Sequence, residues 1–312
     1  MAGVVLCGIC KNVSEPFIRI GSYDIRRCPR CRHSFVHPMP SRSRMDEFYD
    51  SEEDEFWNVG GIPLVRRYLE NRLLFWDYYE RIRYKPLKKA LPHFQSDWKV
   101  LDVGCSSSLF LATLRDKFGF ADVRGLEVSK KVRDFVKDTL ALEVYGAMDS
   151  VPRGSFDLIT LYDVIEHATD PEDFLLGLRS RLKRNGHILI QTPNHRSLLR
   201  YLLRRHWLWY VPPAHLQYFC PSSLSTLLER CGFQVRSLGT TTPGSYAYFL
   251  DHYFRACLGR SPRRTSESIR PAFLSLLKTE LVFRNVLFPF LFKLPEILKI
   301  DTQCYLVAKT GS

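Results

Sequence analysis

The stretch Lys99-Val-Leu-Asp-Val-Gly-Cys-Ser-Ser-Ser-Leu-Phe-Leu-Ala-Thr-Leu-Arg-Asp-Lys117 decides the reading of the chain. Lys99–Val103 is a short apolar run with the composition of a buried strand. Gly104-Cys-Ser-Ser-Ser is a turn of small residues, and from Leu109 apolar residues recur at helical spacing as far as Lys117. The same step repeats downstream. Asp122–Leu126 reads as a second strand ending at Glu127, Leu142–Tyr145 as a third and Ser155–Leu161 as a fourth. Pro171 opens another helix, and Asn185-Gly186 turns into a fifth strand, His187–Thr192. Strands alternating with helices imply an α/β domain on a mostly parallel sheet.

In open α/β sheets, ligands bind beyond the carboxyl ends of the strands. Gly104 sits at such an end, where the lack of a Cβ lets the backbone approach a ligand closely. Ser106, Ser107 and Ser108 place small hydroxyls and backbone donors before a helix start. Glu127 ends the second strand, where an acidic side chain can accept bonds from both hydroxyls of a ribose. The spacing from Asp102 to Glu127 fits a ribose-bearing ligand.

Working outward, the N-terminus carries Cys7-x-x-Cys10 and Cys28-x-x-Cys31, 17 residues apart. Two such pairs fit a closed tetrahedral zinc site of structural type. Gly8 and Pro29 suit the knuckles, and Phe17–Asp24 reads as a hairpin between them. Four thiolates complete the coordination, so His33 and His37 are expected on the surface. The other cysteines, Cys105, Cys220, Cys231, Cys257 and Cys304, are scattered; no disulfide framework is expected. Residues 46–95 read as helical, with Val65–Tyr79 mixing apolar and charged residues at helical spacing.

The net charge of +12 favours acidic partners, such as phosphorylated sugars, nucleic acid or an anionic membrane surface. No run approaches the roughly 18 apolar residues of a spanning helix and no secretory leader is evident, so a cytoplasmic location is expected. After the fifth strand, Arg196, Arg200 and Arg204 recur every four residues before Trp207, Trp209 and Tyr210. They read as a basic amphipathic helix with interfacial aromatics. A segment at about 241–300 carries Arg260-Ser-Pro-Arg-Arg and an apolar series from Leu281 to Phe292, interrupted by Arg284 and Pro289. Both features suit peripheral contact with the inner face of a membrane; burial against the sheet or a second copy of the chain is the competing reading.

Residues 98–238 resemble a class I S-adenosylmethionine-dependent methyltransferase. The resemblance is carried by Val100-Leu-Asp-Val-Gly-Cys, by Glu127, by Phe156-Asp-Leu-Ile-Thr-Leu-Tyr-Asp-Val-Ile-Glu-His-Ala-Thr-Asp-Pro, by Leu182–Asn194 and by His215-Leu-Gln-Tyr-Phe. The subgroup is similar to ubiquinone-type O-methyltransferases. The ribbon, followed by Phe35-Val-His-Pro-Met-Pro and Glu47-Phe-Tyr, resembles zinc-ribbon methyltransferases of sugar and glycan pathways. The family implies a seven-stranded Rossmann-like sheet in the order 3-2-1-4-5-7-6 with the last strand antiparallel. Phe233–Leu238 would be strand six and Cys304–Ala308 strand seven. It implies a ribbon over 1–45, a helical connector or lid over 46–95 and the methyltransferase domain over 96–312, with a helical insert at about 241–300.

By the same resemblance Asp102 and Gly104 hold the methionine moiety of S-adenosylmethionine, aided by Ser106. Glu127 holds the ribose, the Ala147-Met148-Asp149 turn faces adenine, and Asp163 lines the site. Relatives place two or three glycines in the first turn, whereas here Ser106 and Ser108 take the later positions. Asp163, Glu166 and His167 match a cluster implicated in divalent metal binding in ubiquinone-type relatives; ordinary cleft-lining polar residues are the favoured reading here. Transfer to a hydroxyl or carbon needs a proton acceptor, and His167 and His215 follow strands four and five at the cleft. The acceptor expected is a sugar, a glycan or a lipid-linked intermediate, methylated on oxygen or carbon, a small molecule or a lipid-linked sugar being the partner that fits. An RNA methyltransferase, or a cofactor-binding scaffold without catalysis, is the alternative; no aromatic and basic single-strand module supports nucleic acid. A homo-oligomer stays open.

Overall fold

The computed structural model describes residues 4–45, 47–48, 62–241 and 303–311. A four-stranded antiparallel sheet lies at the N-terminus, with strands β1 (Glu15–Ile20), β2 (Tyr23–Arg27) and β3 (Ser34–His37). Its fourth member is β9 (Gln217–Tyr218), which comes from the far side of the main sheet in sequence. The predicted Phe17–Asp24 hairpin is the β1–β2 turn.

The seven-stranded sheet contains β4 (Val100–Val103), β5 (Val123–Leu126), β6 (Glu143–Tyr145), β7 (Phe156–Tyr162), β8 (Leu182–Pro193), β10 (Phe233–Thr241) and β11 (Gln303–Thr310). They lie side by side as β6-β5-β4-β7-β8-β11-β10. Counted within this sheet, that is 3-2-1-4-5-7-6, as the resemblance implies. Pairs among β4 to β8 are parallel, and β11 runs antiparallel to both of its neighbours. Every residue of β4 is buried, as expected for a parallel strand covered on both faces. The fifth strand begins at Leu182, before the Asn185-Gly186 turn that was expected to open it.

Local signals place the helices. Asp170 caps α6 (Pro171–Arg179) by accepting from the N–H groups of Glu172 and Asp173, and Pro171 occupies the first turn. The connector comprises α1 (Ile62–Glu70), α2 (Arg72–Tyr79), a π turn over Glu80–Tyr84 and α3 (Lys85–Ala90). Helix α4 (Leu109–Phe118) follows the small-residue turn, and α5 (Lys130–Leu140) follows β5. Two apolar clusters cover the sheet. One joins Val65, Tyr68, Leu87 and Phe94 of the connector region to Phe110, Val136 and Leu158. The other joins Cys7, Ile9, Cys28, Cys31 and Phe35 of the ribbon to Leu101, Ile159, Leu182 and Phe219.

Two expectations need correction. His33 is not on the surface: it is 1% exposed, and its Nε2 lies 2.9 Å from Gln217 Oε1. The basic amphipathic helix is also absent. Helix α7 spans only Leu198–Leu203, and Arg204 leaves it at φ +51°. Arg200 is buried, donating to the His195 carbonyl at 2.9 Å, and Trp207 and Tyr210 pack inward against Ile25 and Val36 of the ribbon. The aromatics therefore serve a core, because the ribbon hairpin covers them. The insert at about 241–300, including Cys257, Arg260 and Leu281–Phe292, lies outside the described residues. Among those described, no helix is long and apolar enough to cross a membrane.

Candidate functional site

The first turn of the main sheet departs from β4 through three residues in left-handed backbone. These are Gly104 at φ +63°, Ser106 at +50° and Ser108 at +55°. A Cβ on Gly104 would come within 2.7 Å of Val164 Cγ2, so glycine is required there by both conformation and space. Glu127, at the end of β5, reaches over this turn. Its carboxylate accepts from the N–H of Ser106 and the N–H of Ser129, both at 3.1 Å. Burial raises its pKa above the usual carboxylate value, opposed by these backbone donors.

Asp102 is 1% exposed at the end of β4. Its Oδ1 accepts from Thr160 Oγ1 at 2.6 Å, and its Oδ2 lies 3.8 Å from the Arg83 guanidinium. Burial pushes Asp102 up to about 6, with Arg83 and Thr160 opposing. Arg83 lies in the π turn, over the Tyr162 ring at 4.2 Å and near Phe110 and Tyr79. Burial works against its charge, and Asp102, Tyr79, Tyr162 and Asp163 hold it charged. Asp163 leaves β7 at φ +57° and accepts from Gln303 Nε2 at 2.9 Å. Burial raises it too, to about 6.

Met148 and Asp149 form a 3₁₀ turn after β6. Met148 packs on the core, and its carbonyl accepts from Arg181 Nη2 at 3.0 Å. Asp149 is exposed, 3.7 Å from Arg181.

A second group gathers after β7 and β8. The His167 and His215 rings stand edge to face with centroids 4.9 Å apart. His215 donates through Nδ1 to the Trp209 carbonyl at 3.0 Å and stacks on the Trp209 ring. With Nδ1 donating, its Nε2 carries the lone pair. Burial, then His167, pushes His215 down to about 3, so it is neutral at neutral pH. His167 Nδ1 lies 2.7 Å from the Ala214 carbonyl, and its ring also faces the Asp163 carbonyl. Burial lowers it. Glu166 is 1% exposed; its Oε2 accepts from Thr192 Oγ1 at 2.9 Å, while Oε1 has no partner among the described residues. Burial, then Asp163, drives it well above the usual carboxylate range. Glu166, His167 and His215 offer ligand atoms within 4.8 Å of one another, whereas Asp163 is turned to Gln303.

In the ribbon, Cys7, Cys10, Cys28 and Cys31 bring their sulfurs within 4.8 Å of one another. Cys7 and Cys31 sulfurs are 3.6 Å apart and Cys10 and Cys28 sulfurs 3.4 Å apart. These separations are too long for a disulfide and close to the roughly 3.8 Å edge of a tetrahedron with Zn–S bonds of about 2.3 Å. The hydrogen bond from Cys31 lowers the Cys7 thiol to about 4, against the effect of burial. The donor set fits zinc.

All of Asp102, Gly104, Ser106, Glu127, Met148, Asp149 and Asp163 thus border the carboxyl edge of the sheet. Arg83 and Gln217 escape a reading of the sequence. The Tyr79–Tyr84 run gives a faint signal for Arg83, a basic residue among aromatics; for Gln217 the one signal is its place in His215-Leu-Gln-Tyr-Phe.

A family model for the methyltransferase domain matches residues 68–238. The ubiquinone biosynthesis O-methyltransferase of Ralstonia nicotianae is 29% identical over 149 residues, which are 41% of this chain and 60% of that protein. The enzyme of the same name from Photobacterium profundum is 27% identical over 180 residues, 52% of this chain and 72% of that protein. This chain therefore spans about three fifths of the length of the Ralstonia relative. Among solved structures, a SAM dependent methyltransferase from Archaeoglobus fulgidus matches 74% of this chain and 97% of that one, at a TM-score of 0.46 and 21% identity. With the family model spanning more than half of its 312 residues, the chain belongs to the methyltransferase-domain family, in its class I S-adenosylmethionine-dependent branch.

Proposed function

We propose that this chain transfers a methyl group from S-adenosylmethionine to a hydroxyl or carbon of a small-molecule or lipid-linked sugar acceptor, and holds one structural zinc ion at Cys7, Cys10, Cys28 and Cys31. The observation that carries the transfer reading is the charge arrangement beside Gly104. One partly buried cation, Arg83, stands with the carboxylates of Asp102 and Asp163, matching the zwitterionic end of an amino acid. When bound, the cofactor supplies an activated methyl on a sulfonium, and positioning provides much of the acceleration.

Arg83 takes the carboxylate of the amino-acid end and Asp102 its ammonium, with the backbone of Gly104 and Ser106 closing around them. Glu127 accepts from the ribose hydroxyls, and Met148 and Asp149 flank the adenine. Asp163 lines the passage towards the histidines. His215 accepts the hydrogen bond of the acceptor hydroxyl at its Nε2, while His167, held on backbone carbonyls, fixes the neighbouring wall. The likeness to ubiquinone biosynthesis O-methyltransferases supports oxygen as the methylated atom. The +12 charge supports an acceptor bearing phosphate.

Calorimetric titration with S-adenosylmethionine tests the binding half, and transfer of a labelled methyl to acceptor fractions tests the chemistry. Absence of binding overturns the proposal. The left-handed serines at positions 106 and 108 favour a second reading, a cofactor-binding protein without catalysis. Binding without transfer to any fraction decides for it.

A further inference from the structure

We propose that Gln217 is a positioning residue through which the zinc ribbon sets the geometry of the His167–His215 pair. The inference rests on the reading of that pair as the acceptor side of the site. It begins with an unusual strand pairing. Strand β9 belongs to the methyltransferase chain after β8, yet it is hydrogen-bonded to β3 of the ribbon, with Phe35 opposite Gln217 and Ser34 opposite Tyr218. The Val36 N–H donates to the Leu216 carbonyl at 3.0 Å. β9 therefore takes its register from the ribbon.

The other side of the same segment holds the turn that carries Glu166 and His167. The Leu216 N–H donates to the Glu166 carbonyl at 2.9 Å, Gln217 Nε2 donates to the Ala168 carbonyl at 2.9 Å, and His167 Nδ1 lies 2.7 Å from the Ala214 carbonyl. Residues 214–217 thus grip the Glu166–Ala168 side of the turn, with His215 inside the grip.

The Gln217 carboxamide is the part that reaches into the metal site's own loop. Because Nε2 is committed to Ala168, Oε1 is the acceptor turned to His33, whose Nε2 donates across 2.9 Å. His33 in turn supplies the carbonyl that receives the Cys28 N–H at 2.8 Å, inside the second cysteine knuckle. The path runs from Cys28 through His33 and Gln217 to Ala168, one residue from His167. His33 Nδ1 has no partner among the described residues, so Gln217 is the polar contact that the structure gives this ring.

Apolar packing and polar contacts share this junction, Phe35 and Phe219 lying in the cluster common to ribbon and sheet. A cleft of about 300 Å³, open to solvent, lies between the ribbon and the start of α6, lined among others by Ile9, Phe35, Met39, Asp170 and Gln217. Directional bonds beside such a cleft fix orientation, where apolar contacts tolerate sliding. The ribbon accordingly acts as a built-in brace for the acceptor side of the sheet.

The test uses the full chain with zinc bound, labelled with ¹⁵N in histidine, comparing wild type with Gln217→Ala. Zinc content and S-adenosylmethionine affinity are measured first and are expected to match wild type, since Gln217 touches neither. The ring ¹⁵N resonances of His167 and His215 are expected to move, and hydrogen exchange across 165–168 to accelerate about tenfold, as for loss of one ordinary hydrogen bond. Chelating the zinc from wild type is expected to move the same resonances, and to move them much less once Gln217 is alanine. Should Gln217→Ala not fold, Gln217→Glu keeps the acceptor for His33 and lacks the donor for Ala168, and carries the same comparison. Unchanged resonances and exchange in a zinc-loaded variant overturn the proposal. A wild type that fails to bind S-adenosylmethionine overturns the functional reading instead, and leaves the histidine readout decisive for the brace.

Discussion

The Arg83 guanidinium stands 3.8 Å from the Asp102 carboxylate, on top of the Tyr162 ring. A cation from the connector, upstream of the sheet, thereby meets an acid from the first strand. Arg83 is only partly exposed, and a partly desolvated charge is costly unless it is used or paired; at this distance the pairing is incomplete. An incoming carboxylate completes it. Arg83→Ala is expected to weaken S-adenosylmethionine binding by roughly 1.5–3 kcal/mol, the range for a bond to a charged group. Calorimetry returning wild-type affinity would remove Arg83 from the site.

Asp102 predicts a pH dependence. Burial raises its value to about 6 in the free protein. A ligand ammonium needs the ionised carboxylate. Affinity is therefore complete above that value and is lost as pH falls through it, by up to about tenfold for each unit below. Titrations between pH 8 and 5 should show a plateau above about 7 and a decline below 6. The decline should shrink in Asp102→Asn, whose affinity is low throughout, and any remainder reports Asp163, which burial also raises to about 6. A flat wild-type profile contradicts the assignment.

The strand, small-residue turn and helix at Lys99–Lys117 are readable because their physics is local: apolar run, small residues, helical period. The four cysteines are readable because metal geometry demands their spacing. Arg83 is not, since Arg81 two residues earlier looks equivalent in sequence. Only the π turn separates them, sending Arg81 to Asp77 in solvent and Arg83 into the recess. His33 and the Arg196–Tyr210 segment misled for one shared reason. Both are covered by a strand pairing between residues some 180 positions apart, Phe35 with Gln217, which no local pattern announces.

The serine turn has a cost that can be measured. Ser106 is held at φ +50°, where a Cβ costs about 1–2 kcal/mol and glycine almost nothing. Part of that gain is offset by the extra freedom glycine has when unfolded. Ser106→Gly is expected to stabilise the protein by roughly 0.5–1 kcal/mol, while the bond from the position 106 N–H to Glu127 persists. Denaturant unfolding reads the difference. Destabilisation would show that the serine side chain contributes more than its backbone strain.

Zinc should matter to the whole chain and not to the ribbon alone. Cys7, Ile9, Cys28, Cys31 and Phe35 share one apolar cluster with Leu101, Ile159, Leu182 and Phe219 of the main sheet. Ile25 and Val36 of the ribbon likewise enclose Trp207, Tyr210 and Tyr218. Without the ion, the knuckles lose the bonds that define them, since ribbon-sized modules draw much of their folding energy from metal. Their apolar partners are then left uncovered. Cys28→Ser/Cys31→Ser should reduce zinc from about one equivalent to none. The same variant should lower the main thermal transition by about 10 °C or more, as for a loss of several kcal/mol in a domain of this size. The ribbon and sheet should unfold together, in one transition, because no apolar boundary separates them. A zinc-free variant whose main transition stays at the wild-type temperature would show that the ribbon is an independent appendage.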